Sequence, residues 1–117
     1  MHATTLADSI SVDMPRDGLR ALRAATQTNG SYVKVTDKSI LEAIARLGRE
    51  GIFAEPAAAT AYAGLKQAAD DGLIMSDDPV LVLSTGSGLK DVKAAEQAVR
   101  AAPIIEPSIS ALKKAMG

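Results

Sequence analysis

Val80-Leu81-Val82-Leu83-Ser84-Thr85-Gly86-Ser87-Gly88-Leu89-Lys90-Asp91 is the stretch on which the fold turns. Four consecutive apolar residues between Pro79 and a glycine pair read as a strand buried on both faces of a parallel sheet. A small polar loop follows, then a helix carrying Val92, Ala95 and Val99, which Pro103 ends. In an open α/β sheet, ligands sit at the carboxyl ends of the strands, and two glycines let a ligand approach the backbone closely. The loop at residues 84–88 is therefore the best site candidate. It is neither a Walker loop, since G-x-x-x-x-G-K is absent, nor a G-x-G-x-x-G turn.

Upstream, Ser31-Tyr32-Val33-Lys34-Val35 is β-branched and aromatic as a strand requires, and Thr36 stands where a helix N-cap is wanted. Ile40, Leu41, Ile44 and Leu47 then form one helical stripe that Gly51 stops. Pro56, after Glu55, opens another helix, rich in alanine, that runs to Gly72. Its small side chains let a neighbouring backbone or a ligand approach closely, and a tightly packed buried helix is the plainer of the two readings.

Nearer the start, Leu6, Ile10 and Val12 alternate with polar residues, which predicts an edge strand or extended segment over residues 6–13. A helix follows from Arg16 to Gln27, with Arg16, Arg20 and Arg23 on a solvated face and Asn29-Gly30 as its turn. Pro107, then Ile109, Leu112 and Met116 at helical spacing, places a short helix in a tail at residues 103–117. The expected fold class is α/β: a three-layer-like segment, residues 1–117, with few, mostly parallel strands and flanking helices.

Composition narrows the function. The chain has 117 residues and 47% hydrophobic content, but 22 residues are alanine and the aromatics are only Phe53, Tyr32 and Tyr62, so the core is fine-grained. Thirteen basic against fourteen acidic residues, net −1, exclude the basic footprint of a nucleic-acid binder. No apolar stretch approaches the roughly 20 residues of a membrane span, and residues 1–5 lack the blocks of a signal peptide, so the expected place is cytoplasmic, away from membranes. No cysteine and a single His2 exclude a disulfide scaffold, a Cys/His zinc site and a thiol nucleophile. The serines have no partner base that spacing identifies, and Asp8, Asp13, Glu55 and Asp91 are scattered. The residues by themselves reach a small-molecule site on an α/β scaffold.

The block Gly51-Ile52-Phe53-Ala54-Glu55-Pro56-Ala57-Ala58-Ala59, together with the 80–91 stretch, resembles the carboxyl-terminal portion of the threonine synthases, which are fold type II pyridoxal-phosphate enzymes. Thr5-Leu6-Ala7-Asp8-Ser9-Ile10 with Pro15-Arg16-Asp17-Gly18 is similar to the segment just upstream in that family. The Thr-Gly-x-Gly-Leu-Lys-Asp motif is the most specific part. The Glu-Pro-Ala block is shared with serine and threonine dehydratases, from which the Gly-Leu-Lys-Asp ending sets this chain apart.

The resemblance implies pyridoxal 5'-phosphate as cofactor, and conversion of O-phosphohomoserine and water into threonine and phosphate. It implies that the Thr85 hydroxyl meets the pyridine nitrogen, that Ser84 and Gly86 flank the cofactor, and that Asp8, Ser9 and Glu55 border the pocket. A neutral hydroxyl there does not hold the ring nitrogen protonated, which makes the cofactor a milder electron sink. The sequence departs from the family in one respect: it carries neither a Ser-Phe-Lys-Asp type lysine motif nor a Ser-x-Gly-Asn type phosphate loop. The expected partners are a small-molecule substrate and either a second copy of this chain or a complementary amino-terminal half. The competing expectation is a non-catalytic module that binds a small ligand or a partner.

Overall fold

A computed structural model describes residues 2–117. Five helices carry the fold: α1 (Gly18–Gln27), α2 (Asp37–Arg49), α3 (Pro56–Asp70), α4 (Val92–Ala98) and α5 (Ile109–Met116). Short 3-10 turns lie at Asp8–Ile10 and Gly88–Lys90. The signals that start and stop the central helices are local. The Thr36 side chain accepts a hydrogen bond from the Ser39 N–H, which satisfies one of the amide donors left open at the start of α2. Gly51 follows that helix at φ 80°, a left-handed conformation that costs glycine little. Pro56 occupies the first turn of α3, where its missing N–H had no partner to lose.

The core is the seam between α2 and α3. Ile40, Ala43, Ile44 and Leu47 of α2 are buried against Ala58, Ala59 and Ala63 of α3. Large residues on one helix face methyl groups on the other, so the axes approach closely and the alanine excess becomes packing density. Ala94 of α4, Ala7 and Ala54 complete the cluster. Helix α1 buries no residue, and its Leu19 and Leu22 are exposed.

The α/β expectation is corrected. Among the described residues there is no sheet, and the only bridge is an isolated antiparallel one between Ala54 and Ser87. The expected edge strand at residues 6–13 contains the Asp8–Ile10 turn instead, and residues 31–35 and 80–83 are irregular. The physical reason is pairing. A strand persists when a neighbour takes up its N–H and C=O groups, and no backbone hydrogen bond links residues 80–83 to any other described segment. Nor is this run buried on both faces, since Leu81 is 85% and Leu83 70% exposed. The apolar run was legible; the ladder that makes such a run a strand is not supplied by these residues. Among the described residues, no helix is long and apolar enough to cross a membrane.

Candidate functional site

The loop after residue 83 is held from one side only. Glu55 donates its N–H to the Gly86 carbonyl at 3.0 Å, and Gly88 donates its N–H to the Phe53 carbonyl at 2.9 Å. These two bonds flank the Ala54–Ser87 bridge, so residues 53–55 and 86–88 form a short antiparallel clamp. The clamp lies at the entrance to α3, with Glu55 as the residue before Pro56.

Side chains reinforce it. The Lys90 ammonium donates to the Glu55 carboxylate at 2.9 Å. Glu55 is buried, its side chain 10% exposed, whereas the Lys90 side chain is 62% exposed. A carboxylate taken out of water needs such a partner. Neither loop glycine can gain a Cβ unless a neighbour moves: one on Gly86 would overlap the Glu55 carboxylate, and one on Gly88 would overlap the Phe53 ring. The Ser87 hydroxyl accepts from the Leu89 N–H at 3.3 Å, and the Asp91 carboxylate caps α4 by accepting from the Ala94 N–H at 3.0 Å.

Ser84 and Thr85 stand just ahead of this fixed part. Both are exposed, and neither hydroxyl makes a hydrogen bond within the described residues. The structure therefore brings Glu55 together with Gly86 and places Thr85 next to that anchored residue, its hydroxyl without a hydrogen-bond partner among the described residues. Asp8 and Ser9 are exposed on the 3-10 turn that packs near α3, and no hydrogen bond or ion pair joins them to residues 84–88. Of the arginine stripe on α1, Arg20 pairs with Asp17 at 3.4 Å on an exposed surface, as a solvated face does.

Two contributors to the clamp were not singled out by sequence reasoning. Lys90 was visible as part of the loop motif, but nothing in a sequence signals that it pairs with a carboxylate 35 positions earlier. Phe53, which covers Gly88, belonged to the Glu-Pro-Ala block without any assigned task.

Comparison with known proteins points the same way as the motifs. The family described as "Pyridoxal-phosphate dependent enzyme" matches residues 1–86. The chain is similar to the threonine synthase of Methanocaldococcus jannaschii, 40% identical over 111 residues, which is 94% of this chain and 27% of the relative. It is similar to that of Halalkalibacterium halodurans, 36% identical over 105 residues, 89% of this chain and 30% of the relative. With the threonine synthase of Mycobacterium tuberculosis (strain ATCC 25618 / H37Rv) it shares 36% identity over 107 residues, 91% of this chain and 29% of the relative. The chain thus spans less than a third of the length of these curated relatives.

Proposed function

The chain belongs to the pyridoxal-phosphate dependent enzyme family, and from that premise we propose that it forms one wall of a threonine synthase-type site, the wall that faces the cofactor's ring nitrogen. The observation that carries this reading is the unbonded, exposed Thr85 hydroxyl directly ahead of a loop fixed by the Glu55–Lys90 pair. The wider activity is the conversion of O-phosphohomoserine and water into threonine and phosphate, in the cytoplasm, with a complementary chain region supplying the rest of the site.

The residues here fit the ring end of pyridoxal 5'-phosphate and not its anchored end. A hydroxyl with no internal partner, at Thr85, can meet a ring nitrogen as donor or acceptor, with Ser84 and Gly86 on either side. The ammonium next to the loop, that of Lys90, is already held by Glu55. When bound, the cofactor supplies the electron sink for elimination and replacement at the substrate's side chain. The chain's own part is positional: the clamp fixes Gly86, and Thr85 is presented without competition from another protein group. Alone, the chain neither holds the cofactor covalently nor turns substrate over.

The test is spectroscopic. Purified chain mixed with pyridoxal 5'-phosphate is expected to show only the spectrum of the free cofactor. A stable, stoichiometric visible band that disappears when one lysine is replaced overturns the proposal. A neighbouring reading frame that encodes the lysine and phosphate-loop motifs would supply the second component for reconstitution.

A second reading is a non-catalytic module whose apolar surface binds a partner. It is favoured by a groove of about 360 Å³ between α3 and residues 80–83, lined by Ala61, Gly64, Leu65 and Ala68 on the helix side. Reconstitution separates the two: a partner that binds without generating activity supports the module.

A further inference from the structure

The outer face of the α2–α3 pair carries a second concavity, a groove of about 730 Å³ that also touches the end of α4. None of residues 84–88 lines it. Its floor is apolar, with Ala43 and Ala63 buried there and Leu41 and Ala98 partly buried. Its walls are charged, and the charge is unbalanced: Lys38, Arg46 and Arg49 on α2 and Lys66 on α3 stand against Glu42 and Asp70. In a chain whose net charge is −1, that is a local excess of cations.

The pairing within the groove leaves most of this excess unused. Glu42 is engaged at 3.9 Å by Lys38, one turn earlier on the same helix. Arg46, Arg49 and Lys66 make no ion pair or hydrogen bond among the described residues. Arg46 and Arg49 are three residues apart on α2, on one helix face, and Lys66 projects from the opposite wall. Tyr62, half-buried in the same groove, has a hydroxyl without a hydrogen-bond partner among the described residues. Two guanidinium forks, an ammonium and a phenol thus line one groove over a partly buried apolar floor.

We propose that this groove binds a small polyanion, a molecule bearing two or more phosphate or carboxylate groups. Guanidinium groups recognise both kinds of oxyanion through paired N–H donors. Cations on two walls favour a ligand that can bridge them over one with a single charge. Nucleic acid does not fit this description, because the cationic excess is confined to one groove of a nearly neutral chain.

Calorimetric titration of the 117-residue chain at low ionic strength, with inorganic pyrophosphate in one arm and citrate in the other, tests this. Saturable one-to-one binding is expected. Replacing both arginines (Arg46→Gln with Arg49→Gln) should weaken it about tenfold, and Lys66→Gln alone should weaken it by a smaller factor. The pair Arg20→Gln with Arg23→Gln on α1 should leave it unchanged. Pyrophosphate bound much better than citrate identifies a phosphate-bearing ligand, and comparable binding identifies a class that includes carboxylates. Should the double arginine variant lose its helical circular dichroism, Lys66→Gln carries the test. Absence of saturation in both arms, or equal weakening by the α1 pair, overturns the proposal, because diffuse surface charge would then account for the binding.

Discussion

The Lys90 ammonium lies 2.9 Å from the carboxylate of Glu55, tying the end of the loop to the first residue ahead of α3. The pair is asymmetric, since the acid is buried and the base is largely exposed. Removing the base leaves a buried carboxylate without its counter-charge, whereas removing the acid's charge leaves an ammonium that water can solvate. Lys90→Met should therefore cost about 1–2 kcal/mol and Glu55→Gln less than about 1 kcal/mol. Urea denaturation midpoints check the order. Small and equal costs would mean that the pair behaves as a surface ion pair, and the reverse order would contradict the burial argument.

Gly86 and Gly88 should respond differently to the same substitution. Alanine at 86 must displace the Glu55 carboxylate, which Lys90 holds in place, whereas alanine at 88 must displace a Phe53 ring that is 45% exposed and free to swing outward. Gly86→Ala is expected to cost about 2 kcal/mol and Gly88→Ala about half of that. In a Glu55→Ala background the cost of Gly86→Ala should largely vanish, a coupling that a double-mutant cycle measures directly. Additive effects would show that the overlap with Glu55 is not what makes residue 86 a glycine.

Thr85 and Ser87 should exchange rank between stability and activity. The Thr85 hydroxyl makes no internal bond, so Thr85→Val should leave the denaturation midpoint within about 0.5 kcal/mol of the parent. Ser87 caps the Gly88–Lys90 turn, so Ser87→Ala should cost about 0.5–1 kcal/mol. With a complementary component supplying the lysine and the phosphate loop, Thr85→Val should lower activity more than Ser87→Ala does. Equal activity losses would overturn the role proposed for Thr85 at the ring nitrogen.

The apolar run at residues 80–83 should promote association. Leu81 is 85% exposed, and removing such a surface from water is favourable by roughly 25 cal/mol per Å². Leu81→Lys is expected to reduce self-association in sedimentation equilibrium while leaving the denaturation midpoint unchanged. A parent chain that stays monomeric at the highest attainable concentration contradicts this.

Helices were legible in the sequence where a local rule decides them. Thr36, Gly51 and Pro56 carry their signals within a few residues, and the Ile40-Ile44-Leu47 stripe repeats with the helical period. Strands were not legible, because residues 31–35 and 80–83 show the composition of strands while the partner that would complete each ladder lies outside their own sequence. The candidate site divides along the same line. The loop of Ser84, Thr85 and Gly86 could be read from its glycines and its position after an apolar run. The Glu55–Lys90 pair could not, since it joins positions that only the folded chain makes neighbours. Asp8 and Ser9 entered through resemblance alone, and no bond ties them to the loop.

Among the described residues the seam between α2 and α3 is the only substantial core, and the others are strung out from it. The Cα radius of gyration is 17.9 Å and the extents are 61 × 37 × 19 Å, against about 13 Å expected for a compact domain of this length. Friction grows with elongation, so a single 12.1 kDa chain of this form diffuses more slowly than a sphere of equal mass. In gel filtration even the unassociated chain will elute early, at the volume of a heavier globular standard.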